Sequence, residues 1–456
     1  MNNDIKKYTS MRMALRGNLL TSDNCGNHCV FCSNKLNPDS VHTVKVGNRK
    51  IEDLIDEIDF LPNDLHEIHL GETNFNTTEG EIIEYPYFKE LICAINEKRP
   101  DIHITITTSG NSLTEDKIIF LKEKNIDVFI SIHSLNPELR AKITGNTLER
   151  AKTAIDSIDL CLKHKVNIKT IRLVPMPFIP DDDLYNTLKQ LILKDIPQIH
   201  IWVASFSKFV EDKNVSQLKE ECNRISKIID SLNDIMQNHF TKILLFPFQT
   251  NRFKSLIINV EPYSYAYEIG LRNNDEIISM NNTRIVNPDH IKKVLEFENV
   301  KEIYLKRKNN FIKINNIKNS KSILKSIEVN DNTVPFACIE AIFNAILADR
   351  SHSLLMTGEA GYDIVINNLE KMGIFKDEFY HCMVKNTVFG GSICVNGLIT
   401  IEDYLMALND FREKNKDINI TKIIVPADSF RGTEVDVTGR PLQELKFEGC
   451  VDVILI

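Results

Sequence analysis

A parallel α/β sheet is predicted for roughly the first 210 residues of this 456-residue chain, from three observations. Short apolar runs alternate with amphipathic helical segments, the pattern of strands joined by crossover helices. Glycine and polar residues stand at the ends of these runs, where parallel sheets bind ligands. Three cysteines, Cys25, Cys29 and Cys32, fall within eight residues. The sequence therefore predicts an α/β fold with its site at the carboxyl ends of the strands.

The predicted elements of this half alternate along the chain. Strands are predicted at residues 13–21, 66–70, 103–108, 127–134, 168–174 and 199–204, with a further strand at 243–246. Helices are predicted at residues 51–60, 88–98, 113–124, 147–165, 182–194 and 215–238. Because a helix separates each strand from the next, we expect the strands to run parallel.

Composition limits the class of protein. Apolar residues make up 43% and charged residues 26% of the chain, as in ordinary soluble globular proteins. The net charge of −8 disfavours nucleic-acid binding. No apolar run approaches the length of a membrane span, and the first residues lack the apolar stretch of a signal peptide. The sequence predicts a cytoplasmic protein with no nucleic-acid or membrane partner.

The cysteine segment, CGNHCVFC at residues 25–32, has the composition of a metal-binding loop. Its spacing lets one tight loop aim three thiolates at one point, which suits a soft centre such as an iron–sulfur cluster. A 4Fe–4S cluster has four irons, so three cysteines leave one iron open to a small molecule. Zinc with His28 as fourth ligand is an alternative, although the loop gives poor tetrahedral geometry. A disulfide is disfavoured because a reducing compartment is expected.

Cys-x3-Cys-x2-Cys with an aromatic residue, Phe31, before the last cysteine resembles the signature of the radical S-adenosylmethionine (SAM) superfamily. The resemblance implies a partial (β/α)6 barrel, a 4Fe–4S cluster and bound S-adenosylmethionine, with Phe31 near the adenine. It also implies reductive cleavage to methionine and a 5′-deoxyadenosyl radical, which abstracts hydrogen from a substrate. An electron donor such as flavodoxin or ferredoxin is expected as a partner.

The same resemblance implies cofactor-binding residues at the first strand ends. Gly71, Glu72 and Thr73 close the second strand and resemble the Gly-Gly-Glu element of the family, although Leu70 replaces its first glycine. Glu72 is expected to accept hydrogen bonds from the methionyl ammonium. Ser109 ends the third strand and is assigned to the same site.

Further cofactor contacts are expected after the fourth and fifth strands. Ser131 and His133 share one face of the fourth strand, where the family places ribose contacts. Ser131 is preferred, since a structural role for His133 is equally open. Arg140 is expected to clamp the cofactor carboxylate, with a surface ion pair as the alternative. Val174 ends the fifth strand, where backbone groups bracket the adenine.

Residues 251–320 are predicted to form a PDZ-like module. A strand at 257–262, a short helix near Ala266, a Gly-Leu turn and a strand into an Asn turn at 281 resemble a bacterial PDZ domain. Its last strands are predicted at 300–305 and 311–314. Such domains capture C-terminal peptides as an added strand. Residues 251–255 lack the glycine-rich carboxylate loop, so an internal packing module is the alternative.

Residues 321–456 are predicted to form an α/β C-terminal domain after a barrel unit at 1–250 and the PDZ-like module. Strands are predicted at 353–357, 380–385, 392–395 and 422–426. The region resembles a domain of unknown function that accompanies PDZ-containing radical enzymes, and we expect it to cover the barrel mouth. A second cluster in this region is an alternative that the sequence does not decide. Its four cysteines are scattered singly: Cys338, Cys382, Cys394 and Cys450.

Three functions follow from these observations. The first is a radical SAM enzyme that acts on an unidentified small molecule. The second is a radical SAM enzyme that modifies a peptide or protein presented by the PDZ-like module. The third is a non-enzymatic iron–sulfur electron carrier or sensor. An open iron favours the enzymes, because a carrier usually has four protein ligands.

Overall fold

The computed structural model describes residues 10–11, 13–32, 37–41, 44–71, 77–78, 80–210, 214–236, 239, 241–248, 253–330, 334–430 and 434–456. Contacts between residues divide the chain into two compact units, Met1–Pro247 and Phe248–Ile456. No helix within the described ranges is long and apolar enough to cross a membrane.

A parallel sheet forms the centre of the first unit. The strands of this unit are β1 Val44–Lys45, β2 Glu67–Leu70, β3 Thr77–Thr78, β4 His103–Thr108, β5 Asp127–Ser131, β6 Ile168–Leu173, β7 Gln198–Trp202 and β8 Lys242–Phe246. Within the described residues the main sheet has six strands in the order β2-β4-β5-β6-β7-β8, all parallel, and β1 pairs with β3. A mixed α/β fold consistent with a partial barrel is therefore confirmed.

Helices connect these strands, and all but the last, a helix of four residues, bury apolar residues. They are α1 Ile51–Ile58, α2 Phe88–Lys98, α3 Glu115–Glu123, α4 Pro137–Thr144, α5 Leu148–Lys163, α6 Asp181–Leu193, α7 Val215–Asp230 and α8 Asn233–Met236. The predicted long helix at 215–238 is thus two helices. It begins with a capping box between Asn214 and Gln217, and its first part ends at Asp230 with Ser231 as C-cap.

The predicted first strand at residues 13–21 is wrong. Where this segment is described it contains helical residues, a turn and one isolated bridge between Asn18 and His69. Gly17 lies in the left-handed region at φ 77°, and its carbonyl accepts a hydrogen bond from His69 N at 2.7 Å. The chain therefore turns at Gly17 and meets β2 at one point only. The sixth strand of the sheet is instead β8, which the sequence placed after the repeats.

The second unit begins with a small antiparallel module that matches the order of predicted elements. Its strands are β9 Ile257–Val260, β10 Glu276–Met280, β11 Thr283–Arg284, β12 Ile303–Arg307, β13 Asn310–Ile314 and β14 Ile327–Val329, and its helices are α9 Tyr265–Glu268, α10 Pro288–Phe297 and α11 Ser320–Ser326. Strand β14 pairs antiparallel with β9, and Ile323 and Val329 belong to the module's core. The PDZ-like assignment and the boundary at residue 320 stay predictions.

A parallel sheet follows in the same unit. Its strands are β15 Ser353–Gly358, β16 Tyr380–Val384, β17 Lys422–Val425 and β18 Asp452–Leu455, and its helices are α12 Phe336–Ala348, α13 Glu359–Met372, α14 Ile401–Lys414 and α15 Leu442–Gly449. The order is β16-β15-β17-β18. The predicted strand at 392–395 is wrong, since the chain there is a turn followed by irregular backbone. The α/β character expected of this region is present.

Helix α10 of the small module packs against α12 of the same unit. The imidazole of His290 stacks on Phe336 with ring centroids 3.9 Å apart, and Lys293 forms an ion pair with Glu340 at 2.9 Å. His290 Nδ1 accepts a hydrogen bond from Val286 N at 3.3 Å, which requires that this nitrogen carry no proton. The sequence did not predict this helix–helix contact.

We expect the contact between α10 and α12 to loosen in mild acid. Burial, followed by the charge of Lys293, lowers the pKa of His290 from 6.5 to about 4. Between these two pH values the unfolded chain binds more protons than the folded one, so stability falls as the pH drops from 6.5 toward 4. Hydrogen exchange of both helices, corrected for intrinsic rates, should accelerate from pH 7 to pH 5. A His290→Gln variant with the same acceleration would contradict this explanation.

Candidate cofactor site at the carboxyl ends of the strands

The three loop cysteines lie close enough together for their charges to interact. Burial, with smaller contributions from Cys32 and Cys25, raises the pKa of Cys29 to about 12, while Arg140 opposes the shift. Burial likewise raises the pKa of Cys25 to about 11. The loop is closed on itself by a hydrogen bond from Cys32 N to the Cys29 carbonyl at 3.2 Å. The thiols are thus near enough to affect one another's ionisation, and their role as the three cluster ligands stays a prediction.

The end of α4 supports the middle of the cysteine loop. His28 N donates to the Thr144 carbonyl at 2.8 Å, and Val30 N donates to the Ile143 carbonyl at 3.0 Å. Gly145 follows in the left-handed region at φ 61°, and a Cβ there would lie 2.6 Å from the His28 carbonyl oxygen. Only glycine allows so close an approach in this conformation. The loop is therefore fixed by main-chain contacts that do not involve its thiols.

Asn27 ties the same loop to two other segments. Its Oδ1 accepts hydrogen bonds from Asn111 Nδ2 and from Asn146 Nδ2, each at 2.6 Å. Asn111 follows β4 and Asn146 follows α4, so one amide oxygen joins three parts of the chain. This clamp orients the segment between Cys25 and Cys29.

The segment before Cys25 runs beside residues 80–84. Gly80 N donates to the Ser22 carbonyl at 2.6 Å, and Glu81 N donates to the Asn24 carbonyl at 3.0 Å. Beyond the cysteine, Gly26 N donates to Glu84 Oε2 at 3.1 Å. Cys25 is therefore bracketed on both sides by hydrogen bonds to one short segment.

Two carboxylates of that segment lie near the cysteines. Glu81 is buried and accepts hydrogen bonds from Thr108 Oγ1 at 2.6 Å, Ser109 N at 2.8 Å and Ser109 Oγ at 2.6 Å. Glu84 accepts from Ser112 Oγ at 2.7 Å and forms an ion pair with Arg150. Burial opposes ionisation of Glu84, but the bonds from Ser112 and Arg150 outweigh it and lower its pKa. Both carboxylates thus act as internal acceptors.

Arg140 is fully buried beside this network. Its Nη1 donates to the Ile132 carbonyl at 2.9 Å, and its Nη2 donates to Asn111 Oδ1 at 2.8 Å and to the Ser109 carbonyl. Burial lowers the pKa of Arg140 to about 10, against the opposing charges of Cys29 and Glu81. Its Nε has no hydrogen-bond partner among the described residues. The alternative of a surface ion pair is wrong, because the side chain is inaccessible.

Phe31, His133 and Val174 form a second group. The rings of Phe31 and His133 meet edge to face with centroids 4.9 Å apart. His133 is buried at φ 69°, and its Nδ1 accepts a hydrogen bond from Val174 N at 3.1 Å. Burial, followed by the charge of Arg140, lowers the pKa of His133, so the ring is neutral. His133 therefore has a structural role, since it holds the Val174 N–H, and it also lies beside Phe31.

The first unit matches a known family in sequence. The family model described as Radical SAM superfamily matches residues 19–191. The chain contains a radical SAM superfamily domain. The cofactors of that superfamily are S-adenosylmethionine and a 4Fe–4S cluster, and the cofactor prediction is confirmed at this level. No curated protein matches the chain.

Solved structures of radical SAM proteins resemble the chain weakly. Streptococcus suis SuiB bound to S-adenosylmethionine shares 14% identity at a TM-score of 0.38 over 51% of each chain. Native anSMEcpe with bound AdoMet shares 17% identity at a TM-score of 0.37, over 50% of this chain and 63% of its own. TsrM from Kitasatospora setae shares 15% identity at a TM-score of 0.34, over 47% and 41%. The chain thus spans about half the length of SuiB.

The residues present fit an iron–sulfur cluster by their chemistry. Three soft thiol donors share one fixed loop, and Arg140 supplies positive charge near Cys29. No three His, Cys, Asp or Glu side chains in the described ranges have the arrangement of a preformed metal site. This applies to Cys25, Cys29 and Cys32 as well as to Cys338, Cys382, Cys394 and Cys450. The high pKa values of Cys25 and Cys29 are consistent with protonated thiols, and ligation requires that their protons leave.

Several of the predicted cofactor residues lie at the carboxyl edge of the main sheet, at or just after the last residues of its strands. Ser109 follows β4, Ser131 ends β5, and Val174 follows β6. Gly71 follows β2 at φ 80°, where a Cβ would lie 2.5 Å from the Thr107 carbonyl oxygen. Glu72 and Thr73 lie outside the described residues.

The sequence did not identify the polar residues that hold the loop in place. They are Asn27, Glu81, Glu84, Asn111, Asn146 and Arg150. A signal was available for Glu81, because an Ile-Ile pair follows it directly in the sequence. Acidic residues rarely lie buried without partners.

Proposed function

We propose that this protein is a radical SAM enzyme in which Cys25, Cys29 and Cys32 hold a 4Fe–4S cluster. One observation supports the proposal most directly: the three thiols share a loop that main-chain bonds and the Asn27 clamp hold at the carboxyl edge of the sheet. When bound, the cluster and S-adenosylmethionine supply a 5′-deoxyadenosyl radical that abstracts hydrogen from substrate. The protein's part is to position both and to exclude water.

Arg140 and the Phe31 group are proposed to position the cofactor. The buried guanidinium of Arg140 carries a positive charge close to Cys29, and this charge would attract the cofactor carboxylate from inside the protein. Phe31 is half-buried and meets the buried ring of His133 edge to face, and Val174 lies beside them with its N–H held by His133. We assign Ser131 to the ribose and Glu72 to the methionyl ammonium, as the resemblance implies.

The proposed substrate is a small molecule. Modification of a peptide presented by the small module is the alternative. The packing of α10 against α12 through His290 and Lys293 supports internal packing for that module, because a face of its one long helix is already covered. The third candidate is an electron carrier. It differs from the two enzymes because it has no use for an iron without a protein ligand.

The test of this function is anaerobic cleavage of the cofactor. The full-length protein is reconstituted with iron and sulfide, reduced with dithionite and given S-adenosylmethionine, and 5′-deoxyadenosine is measured by mass spectrometry. We expect Cys29→Ala to lower both retained iron and product by roughly a hundredfold. Cys93→Ala, an exposed cysteine on α2, is the matched control and should change neither.

Two outcomes would contradict the proposal in different ways. A full cluster whose electron paramagnetic resonance spectrum is unchanged by S-adenosylmethionine would favour the electron carrier. Retention of zinc in place of iron would overturn the assignment of the cysteine loop.

A further inference from the structure

Basic residues of the small antiparallel module are concentrated in one segment. Residues 301–325 contain eight lysine and arginine residues and one glutamate, although the chain as a whole carries a net charge of −8. The segment includes β12, β13 and α11. The net charge predicts no nucleic-acid partner, but it averages over an uneven distribution of charge. Attraction of an anionic partner depends on the local surface instead.

The fold places lysines at both ends of the hairpin that β12 and β13 form. The pairing of the two strands leaves Lys308 and Asn309 as the turn. At the other end, Ile317 N donates to the Lys301 carbonyl at 3.1 Å, and the chain continues beside the start of β12. Lysines after β13 therefore return to the end at which β12 begins. We call the following set the basic strip: Lys301, Lys306, Lys308, Lys318 and Lys321.

The charges of the basic strip are not neutralised by neighbouring carboxylates. Arg307 of the same segment pairs with the buried Asp275 at 2.7 Å, and Lys313 pairs with Glu302 at 2.7 Å. In the part of the chain that the structure describes, no carboxylate forms an ion pair with a lysine of the basic strip. Four of its five lysines are exposed, and Lys306 is half-buried. The strip can therefore bind an extended anion such as a phosphate backbone.

A stacked aromatic pair lies between the two basic ends. The rings of Tyr304 and Phe311 are 5.5 Å apart between centroids and 6° from parallel. Tyr304 is 37% accessible and Phe311 is 59% accessible. Register pairs Tyr304 with Lys313 and Lys306 with Phe311, so these four side chains share one face of the sheet. Exposed rings with lysines on either side match a surface on which bases stack while the backbone is held by charge.

We infer that this face binds single-stranded RNA, with bases stacked on Tyr304 and Phe311 and phosphates at the basic strip. The exposed amides of Asn309 and Asn310 lie next to Phe311 in the sequence, and an amide can bond the ribose 2′-hydroxyl that distinguishes RNA from DNA. A membrane surface is disfavoured because the turn of the hairpin is polar and offers no apolar residue for insertion. The inference concerns the module and does not depend on the cluster.

The test measures binding of labelled RNA to the full-length protein by fluorescence anisotropy. The probe is a twelve-nucleotide RNA of alternating adenosine and cytidine, which forms no duplex. We expect saturable binding, with a slope of log affinity against log salt of about −3 between about 50 and 200 mM, if four phosphates are neutralised. A twelve-residue oligoglutamate has similar charge but no bases, and it should bind at least about tenfold more weakly. DNA of the same sequence should also bind more weakly than the RNA.

Two kinds of variant separate stacking from charge. Phe311→Ala should weaken RNA binding about tenfold and leave the salt slope unchanged. The double variant Lys301→Gln/Lys318→Gln should weaken binding and make the slope shallower by about 1.4. Phe447→Ala and the double variant Lys416→Gln/Lys446→Gln are the matched controls. They change exposed residues on or near the helices of the parallel sheet and should alter neither quantity.

Several outcomes would overturn the inference. They are unsaturable binding, equal affinity for oligoglutamate, DNA binding as tight as RNA binding, and an unaltered Phe311→Ala variant. If Phe311→Ala does not fold, Tyr304→Ala decides by the same measure. Cofactor cleavage plays no part in these measurements, so their failure would leave the proposed function untouched.

Discussion

Replacement of Gly80 by alanine is expected to destabilise the first unit by about 3 kcal/mol and to abolish iron retention. A Cβ on Gly80 would overlap the carbonyl oxygen of Asn24 and would lie 2.8 Å from its nitrogen. Both are backbone atoms next to Cys25, so no side chain can move aside. The two segments must separate, and Glu81 N then loses its bond to the Asn24 carbonyl. Urea unfolding followed by Trp202 emission, with iron per chain, measures both effects.

Gly47→Ala is the control for the Gly80 variant. Gly47 also belongs to the first unit, and at φ 71° its Cβ would meet nothing within 4 Å. Alanine there carries only the strain of the left-handed conformation, about 1 kcal/mol. Iron retention should be unchanged. Equal losses of iron in both variants would show that contact with the cysteine segment is not the cause.

Arg140→Met is expected to destabilise the first unit by about 3–5 kcal/mol. The substitution keeps apolar volume but leaves the Ile132 and Ser109 carbonyls and Asn111 Oδ1 without their buried donor. Each unsatisfied acceptor costs about 1–3 kcal/mol. It also removes the positive charge near Cys29. Cluster retention should therefore fall even at urea concentrations below the unfolding midpoint, where the protein is still folded. Trp202 emission in urea and iron content report the two effects separately.

Arg224→Met provides the comparison for Arg140. Arg224 makes two ion pairs, but its partner Asp181 is largely exposed, so the loss should stay within about 1 kcal/mol. Arg140→Lys keeps the positive charge but lacks the several hydrogen-bond donors of the guanidinium. Relative to Arg140→Met, it should restore iron retention to a greater extent than it restores the free energy of unfolding. An Arg140→Met protein as stable as wild type would show that the buried hydrogen bonds contribute nothing net.

Elements whose signals lie within a few residues of the sequence were predicted, and those decided by contacts between distant residues were not. The cysteine loop and strands β4, β5 and β6 were predictable because their signals, cysteine spacing and β-branched apolar runs, lie within a few residues. The segment 13–21 misled because its pairing is decided by the left-handed turn at Gly17 and a distant strand. Apolar content alone does not reveal either.

Most of the site's polar scaffold could not be predicted for the same reason. Asn27 bonds to Asn146 across 119 positions, and Glu84 bonds to Arg150 across 66. Only the folded sheet brings such residues together, and each residue alone resembles an ordinary surface group. Glu81 was the exception, because the apolar pair that follows it in the sequence could have indicated a buried carboxylate.

Main-chain and amide groups supply several of the hydrogen bonds that hold the cysteine loop, and the Glu84 carboxylate accepts one more from Gly26 N. The hydrogen bonds of His28 N, Val30 N and Asn27 Oδ1 involve no sulfur atom. We therefore expect oxygen damage to remove the cluster without unfolding the chain. Repair in the cell then calls for iron, sulfide and electrons delivered to a finished protein.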